Sequence, residues 1–539
     1  MSAYRITPLV PACLLLLGAA IILIVSRVLP SRRQHRLAIG ISALALLSLF
    51  FTGSGYPRDV QLVRVLIEWM GSPILAVRVP AFEPYLWLLV LALLAISLAA
   101  RGRSDQLSSL DQAMYFALTA MACGVVLAGD LVTLAFALLL FDGTAALFAL
   151  AGQRPSQAVG RLWLGVLSST LVLALTHGAD YLTAHPRELG GLFSLTVWLR
   201  LGLYPLVEER QARPTHLGWL IVNLAVGLYL LPAHPPGWLV WLAGATTVLH
   251  GALAWLEPAR ERALAHAGHA LAGGILTMTA VVDAGPGATA ASIGTLAALV
   301  VLELAPRLGI PGQARPWQIG GFLPSLLGTA SLLGVPYTLG WAGRGTLYRE
   351  TWEIGAPGTL ALVLVAEGAA LSVLYRYWQG LLKGGGQAPG QDEAPEEDDT
   401  PVLSTQGSEQ RRAGVAVWQL LGAGIAATPF LFPVLGPRLV LGIPPSEPAA
   451  LSALVGLLGS LLWALFLGYG RPRLLDALPV SPLAASHILH LGWLLEGLGS
   501  VLDSLGRGLL RFRAIIEGEH YLAWAILLTL GLGLLILLR

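Results

Sequence analysis

Two arginines lie in runs that are otherwise apolar. Arg200 sits in VWLRLGLYPLVEER and Arg344 in GVPYTLGWAGR, each close to glycine and proline. A permanent cation there can hold a carboxylate, order water or attract an anion, but it does not give up its proton. Asp142, in LLLFDGTAALF, is a lone carboxylate in a third apolar run. Such a group needs a partner, and Arg200 is the candidate. Glu367 in LVAEGAAL, Glu303 in VVLELAPRL and Glu261 in RERALAHAGHALAGG are further titratable groups. His266 and His269 stand at i and i+3 on one helix face, and His250 ends TTVLHGALAW. Two histidines so spaced suit a metal, but no third ligand is evident, and a packed or hydrogen-bonded pair is the plainer reading. For each arginine the plain alternative is a span-end residue that snorkels to the headgroups.

These residues need apolar helices to position them. The chain has 539 residues, is 55% hydrophobic and only 12% charged, with mean hydropathy +0.71. A soluble domain carries about 25% charged residues. About sixteen apolar segments, each near the ~20 residues that cross a hydrocarbon core, recur from 8–28 to 519–538. The expected fold is all-α: a polytopic membrane protein of about 14–16 transmembrane helices. A barrel would show short alternating segments instead. Within 188–207 and 318–342, Pro205, Gly334, Pro336 and Gly340 mark broken helices, because proline removes a backbone donor and frees a carbonyl. Matched interruptions in two halves indicate inverted repeats with a path near the breaks.

The remaining features bound the organisation. Cys13 and Cys123 lie in apolar runs and give neither a disulfide framework nor a metal spacing. The first run, 8–28, lacks a basic n-region and a cleavage site, so it reads as a retained span. Arg32, Arg33, Arg36, Arg101, Arg103, Arg154, Arg210, Arg213, Arg260 and Arg262 gather in the odd-numbered loops. By the positive-inside rule those loops are cytoplasmic and the N-terminus is outside. The loop 55–81, with Arg58, Arg64 and Arg78, departs from that rule. Residues 384–412, glycine- and proline-rich with a cluster of acids, read as a solvated linker. Residues 474–516 carry leucine at helical spacing with His487, His490, Arg507, Arg511 and Arg513. They form either an amphipathic helix along the membrane or a neighbour, or two ordinary connecting helices. The expected division is 1–110, N-terminal helices; 111–256 and 257–380, two repeats; 381–412, linker; and 413–539, C-terminal helices with the amphipathic segment and a last span.

GVPYTLGWAGR, 334–344, resembles the G-[IL]-P-P-x-x-G-F-x-x-K stretch of the antiporter-like membrane subunits. These occur in respiratory complex I (NADH–quinone oxidoreductase), membrane-bound hydrogenases and Mrp-type sodium/proton antiporters. Gly334, Pro336, Gly340 and Gly343 match, and Arg344 falls where a lysine or glutamate is usual. RLGLYPLVEERQARPT, 200–215, resembles K-x-A-x-x-P-L-H-x-W-L-P, with Arg200 at the key lysine. GDLVTLAFALLLFDG, 129–143, is similar to the preceding N-D-L-x-x-x-x-x-x-x-E segment: Asp130 matches, Leu139 takes the glutamate position, and Asp142 lies three residues on. RERALAHAGHALAGG, 260–274, resembles D-x-K-R-L-L-A-Y-S-S-I-x-H-x-G, with Glu261 at the lysine. The resemblance covers roughly 110–345. The H-x-x-x-K-A-L-L-F segment of the family has no match, and the chain holds a single lysine, Lys383.

The resemblance implies an antiporter-like subunit of a multi-subunit complex in the inner or plasma membrane, contributing a proton or cation path. Asp142 and Arg200 would be the charge pair, with Glu261, His266, His269, Glu303 and Glu367 as titratable stations and Arg344 as a fixed cation. Loss of the lysines also admits a non-conducting assembly subunit. A carrier of a small anion past the two arginines is the reading outside the family. No catalytic centre is expected in the chain itself, which would be a non-redox subunit of a proton-translocating oxidoreductase or its relatives. No cofactor or metal is implied, as there is no cysteine cluster, Rossmann glycine signature or P-loop. The expected partners are other membrane subunits and the lipid bilayer, and no nucleic acid.

Overall fold

The computed structural model describes residues 9–26, 28–53, 62–69, 72–79, 82–101, 108–151, 155–177, 186–203, 215–231, 235–282, 285–308, 319–335, 338–382 and 451–476, with single positions at 489, 497, 500 and 504. In chain order these form α1 (Val10–Val25), α2 (Ser31–Gly53), β1 (Leu62–Trp69), β2 (Ser72–Val79), α3 (Phe82–Arg101), α4 (Ser109–Val126), α5 (Leu131–Ala151), α6 (Pro155–His177) and α7 (Pro186–Trp198). A π-helical turn, Leu199–Leu203, follows α7. Then come α8 (Thr215–Tyr229), α9 (Leu239–Leu256), α10 (Arg260–Val282), α11 (Pro286–Leu308), α12 (Ile319–Leu333), α13 (Leu339–Glu353), α14 (Pro357–Leu382) and α15 (Leu451–Asp476).

The chain is an all-α polytopic membrane protein, with one added antiparallel hairpin, β1–β2, in the 55–81 loop. Among the described residues six helices are long and apolar enough to cross a membrane, and further apolar helices are shorter. Every apolar segment read from the sequence falls on a described helix except 413–436 and 519–538, which lie outside the described residues. So do Pro205, Pro336, the linker, nearly all of 474–516, and the side chains of Glu261 and Glu303.

Local chemistry sets the helix ends. Prolines open α6, α7, α11 and α14, where a missing N–H is tolerated and φ is preset. Ser108 and Asp111 form a capping box at the start of α4. Asp130 caps α5: the Thr133 N–H donates to its Oδ1 at 2.7 Å and the Thr133 hydroxyl to its Oδ2 at 3.0 Å. The same hydroxyl accepts from the Ala76 N–H at 2.8 Å and so seats β2 on this corner.

The segment 318–342, read as one span, is two helices. Gly334 adopts φ +67, which favours glycine. Its N–H donates to Ser331 O at 3.1 Å and the Val335 N–H to Ala330 O at 2.8 Å, a Schellman closure of α12. Thr338 then caps α13, its hydroxyl accepting from the Trp341 N–H at 3.2 Å.

Helix α10 is central. It packs on α8, α9, α11, α13 and α14, and 83% of its span is enclosed, against 44% for α6 at the periphery. The outward faces are apolar: Phe136 and Leu147 on α5, Trp163 on α6, and Val455, Leu462 and Phe466 on α15 are exposed. The charged side chains described next are inside. That distribution, apolar out and polar in, suits a lipid surround.

Candidate functional site

Asp142 on α5 and Arg200 in the π-helical turn are 1% and 2% exposed and form a bidentate ion pair. Arg200 Nη1 donates to Asp142 Oδ1 at 3.1 Å and Nη2 to Oδ2. Two parallel N–H···O bonds match the guanidinium fork to the carboxylate, so burial leaves both charges compensated. Gly165 of α6 packs on Asp142, where any side chain would displace the carboxylate. Arg161 of α6 lies nearby. Its Nη1 donates to Ala145 O at 2.9 Å, and its guanidinium sits 4.2 Å from the centre of the Trp219 ring.

The π turn exposes backbone carbonyls, and three helices supply donors for them. Asn223 Nδ2 of α8 donates to Arg200 O at 3.0 Å, and Asn223 Oδ1 lies 3.4 Å from Arg200 Nη1. His269 Nδ1 of α10 meets Leu201 O at 3.2 Å, and His250 Nε2 of α9 meets Gly202 O at 2.9 Å. A carbonyl only accepts, so each of those ring nitrogens carries hydrogen. His250 Nδ1 lies 3.3 Å from His266 Nδ1, and with neutral rings the hydrogen in that contact belongs to His266. The break is therefore held by titratable side chains, consistent with the rule that irregular backbone at membrane depth must be satisfied by protein.

A second cluster forms at the α12–α13 break. Arg344 of α13 is 1% exposed. Its Nη2 donates to Leu332 O, with Ser331 O 3.5 Å away, so the guanidinium covers carbonyls at the end of α12. Its Nη1 lies 3.6 Å from Oε2 of Glu367 on α14, a fully buried carboxylate. Tyr348, one turn after Arg344, donates its hydroxyl to the same Oε2. The clusters adjoin through small residues. A Cβ on Gly251, the neighbour of His250, would stand 2.6 Å from the carbonyl oxygen of Ala366, the neighbour of Glu367. Gly274 of α10, five residues past His269, faces Glu367 Oε1.

The sequence candidates thus divide. Asp142, Arg200, His266 and His269 gather at the first break, and Gly334, Gly340, Arg344 and Glu367 at the second. Neither arginine snorkels to a surface. Leu139, at the motif's glutamate position, points outward and is 36% exposed, whereas Asp142 points inward. Asp130 is a helix cap away from both clusters. Among the described residues no group of three ligands could hold a metal. Sequence reading passed over Asn223, Arg161 and Tyr348. A lone Asn in WLIVNLAVG and an Arg six residues into α6 were the available signals, while nothing in the residues around Tyr348 set it apart.

Fold and site together define a polytopic helical membrane protein with a buried charge pair at each of two helix breaks. No family model matches the sequence, and no curated protein matches it. Solved structures share its fold. A chain of the membrane-bound sulfane sulfur reductase (MBS), an archaeal respiratory membrane complex, superposes with TM-score 0.66 at 14% identity, covering 99% of this chain and 100% of that one. A chain of the Mrp complex from Dietzia sp. DQ12-45-1b gives 0.60 at 17% identity, over 98% of this chain and 63% of that one. A chain of respiratory complex I from Thermus thermophilus with bound NADH gives 0.59 at 16% identity, over 86% and 100%. The chain shares the fold of these three membrane-complex chains.

Proposed function

We propose that this chain is a divergent antiporter-like subunit of a multi-subunit membrane complex of the complex I or Mrp kind, and that it carries protons or another small cation between the two breaks. Residues 111–256 and 257–380 would be its two repeats, in a cell membrane with the N-terminus outside. The observation that carries this reading is the Asp142–Arg200 pair, seated on a π turn whose carbonyls are held by His250 and His269. Opening the pair, or charging an imidazole, changes the electrostatics of the same turn. The histidines and Glu367 are the stations that change protonation, and the arginines are fixed counter-charges.

The arginines also support a second reading, a non-conducting assembly subunit, because they remove the switch that a buried lysine offers. Proton flux through the native complex in vesicles separates the two. On the conducting reading, Asp142→Asn and His269→Gln each lower flux at least tenfold while the complex stays assembled. Unchanged flux in both variants leaves the assembly role.

A further inference from the structure

We infer, resting on the conducting reading, that Glu367 is the proton-carrying residue of the second break. Its Oε1 takes the proton from the α10 side, and Tyr348 and Arg344 are positioning residues. Arg344 stands where proton transfer would be expected, but a guanidinium keeps its proton. The group that can change charge is the carboxylate beside it, one helix further along the chain.

The two oxygens of Glu367 are unlike. Oε2 is committed: Tyr348 donates to it and Arg344 Nη1 lies 3.6 Å away. Oε1 has no hydrogen-bond partner among the described residues, although Glu367 is fully buried. A Cβ on Gly274 would stand 3.1 Å from it, so α10 faces Oε1 with a bare glycine, and any side chain there would crowd this oxygen. The charged or titratable groups that face Glu367 are Arg344 and Tyr348; His250 is linked to it only through the Gly251–Ala366 contact, and His269 lies five residues before Gly274 on α10. From α15, Gly456 packs on Tyr348 and Leu457 on Gly334, and these bring no charge.

The step balances as a proton alone. A hydronium ion on the α10 side gives up a proton, its O–H bond breaking to leave water, an O–H bond forms at Oε1, and the Arg344–Glu367 site passes from net zero to +1. Release reverses it. Tyr348 keeps its own proton throughout and fixes Oε2, so that uptake is confined to Oε1.

Infrared difference spectroscopy on the purified native complex, acid minus alkaline, tests this beside proton flux. A protonated-carboxyl band that vanishes in Glu367→Gln, with flux reduced at least tenfold, is expected. Tyr348→Phe should keep the band, move its frequency and shift its titration midpoint, since Oε2 loses its donor. Gly274→Val should slow flux severalfold with every ionisable group intact. A band unchanged in Glu367→Gln overturns the inference, as does wild-type flux in that variant, and the latter leaves the conducting reading standing. A Glu367 band in a complex that carries no proton flux would instead sink the conducting reading and keep the assignment of a titrating Glu367. If Glu367→Gln fails to assemble, an unmoved band in Tyr348→Phe overturns the inference by itself.

Discussion

At the residue scale the Asp142–Arg200 pair is the most exposed to test. Removing one partner of a buried pair leaves the other charge uncompensated, at about 3–5 kcal/mol. Asp142→Asn should therefore lower the thermal stability and yield of the complex as well as flux. Replacing both, Asp142→Leu with Arg200→Met, should recover much of the stability and none of the flux, read by thermal unfolding and flux on the same preparations. Arg200→Lys keeps the charge but loses the second hydrogen bond to Asp142. That buried ion pair was legible in the sequence because a carboxylate and an arginine in apolar runs each demand a partner. The register was not. Counting from Asp130 points to Leu139, and only the helix's rotation shows that Asp142 faces inward. Asn223 was equally hidden, since its importance comes from a π turn that no residue pattern announces.

At the element scale the α12–α13 break rests on Gly334. An alanine there must hold φ +67 and meet both Leu457 and the Arg344 guanidinium. Gly334→Ala should cost about 1 kcal/mol or more from backbone strain alone. Limited proteolysis of the assembled complex would show new cleavage near the break if the closure loosens. Asp130→Ala removes the α5 cap, at about 1 kcal/mol. It should lower stability while leaving flux through folded complex near wild type, because Asp130 serves β2 and α5 rather than either charge cluster. The helices themselves were readable from apolar length. The hairpin was not, because arginines made 55–81 look like an ill-fitting loop, and the split of 318–342 showed only as a break within one span.

At the scale of the whole molecule, α15 is fastened to the core by polar and packing contacts together. Arg471 donates to Trp255 O at 2.9 Å and Leu256 O at 3.2 Å, and the Trp255 indole N–H donates to Leu467 O at 3.2 Å. Trp463 packs on Gly368 and Tyr375 on Gly468. An engineered protease site in 384–412 should leave the C-terminal piece bound to the rest after cutting. Adding Arg471→Ala should release a larger share of it on size-exclusion chromatography in detergent. The sequence marked the linker, but nothing in it tied α15 to α9, because that link joins side chains to carbonyls, which every residue type carries.

The end of α9 has a further meaning. Its last carbonyls, Ala254 through Glu257, are all taken by guanidiniums: Arg376 holds Ala254 O at 2.7 Å and Glu257 O at 2.6 Å, and Arg471 holds the two between. Those arginines lie 119 and more than 200 residues downstream in the chain. During synthesis α9 is therefore made long before the groups that finish it, and in the interval water at the membrane face must serve its carbonyls. The end of a helix in the middle of the chain is thus finished by side chains from its last third.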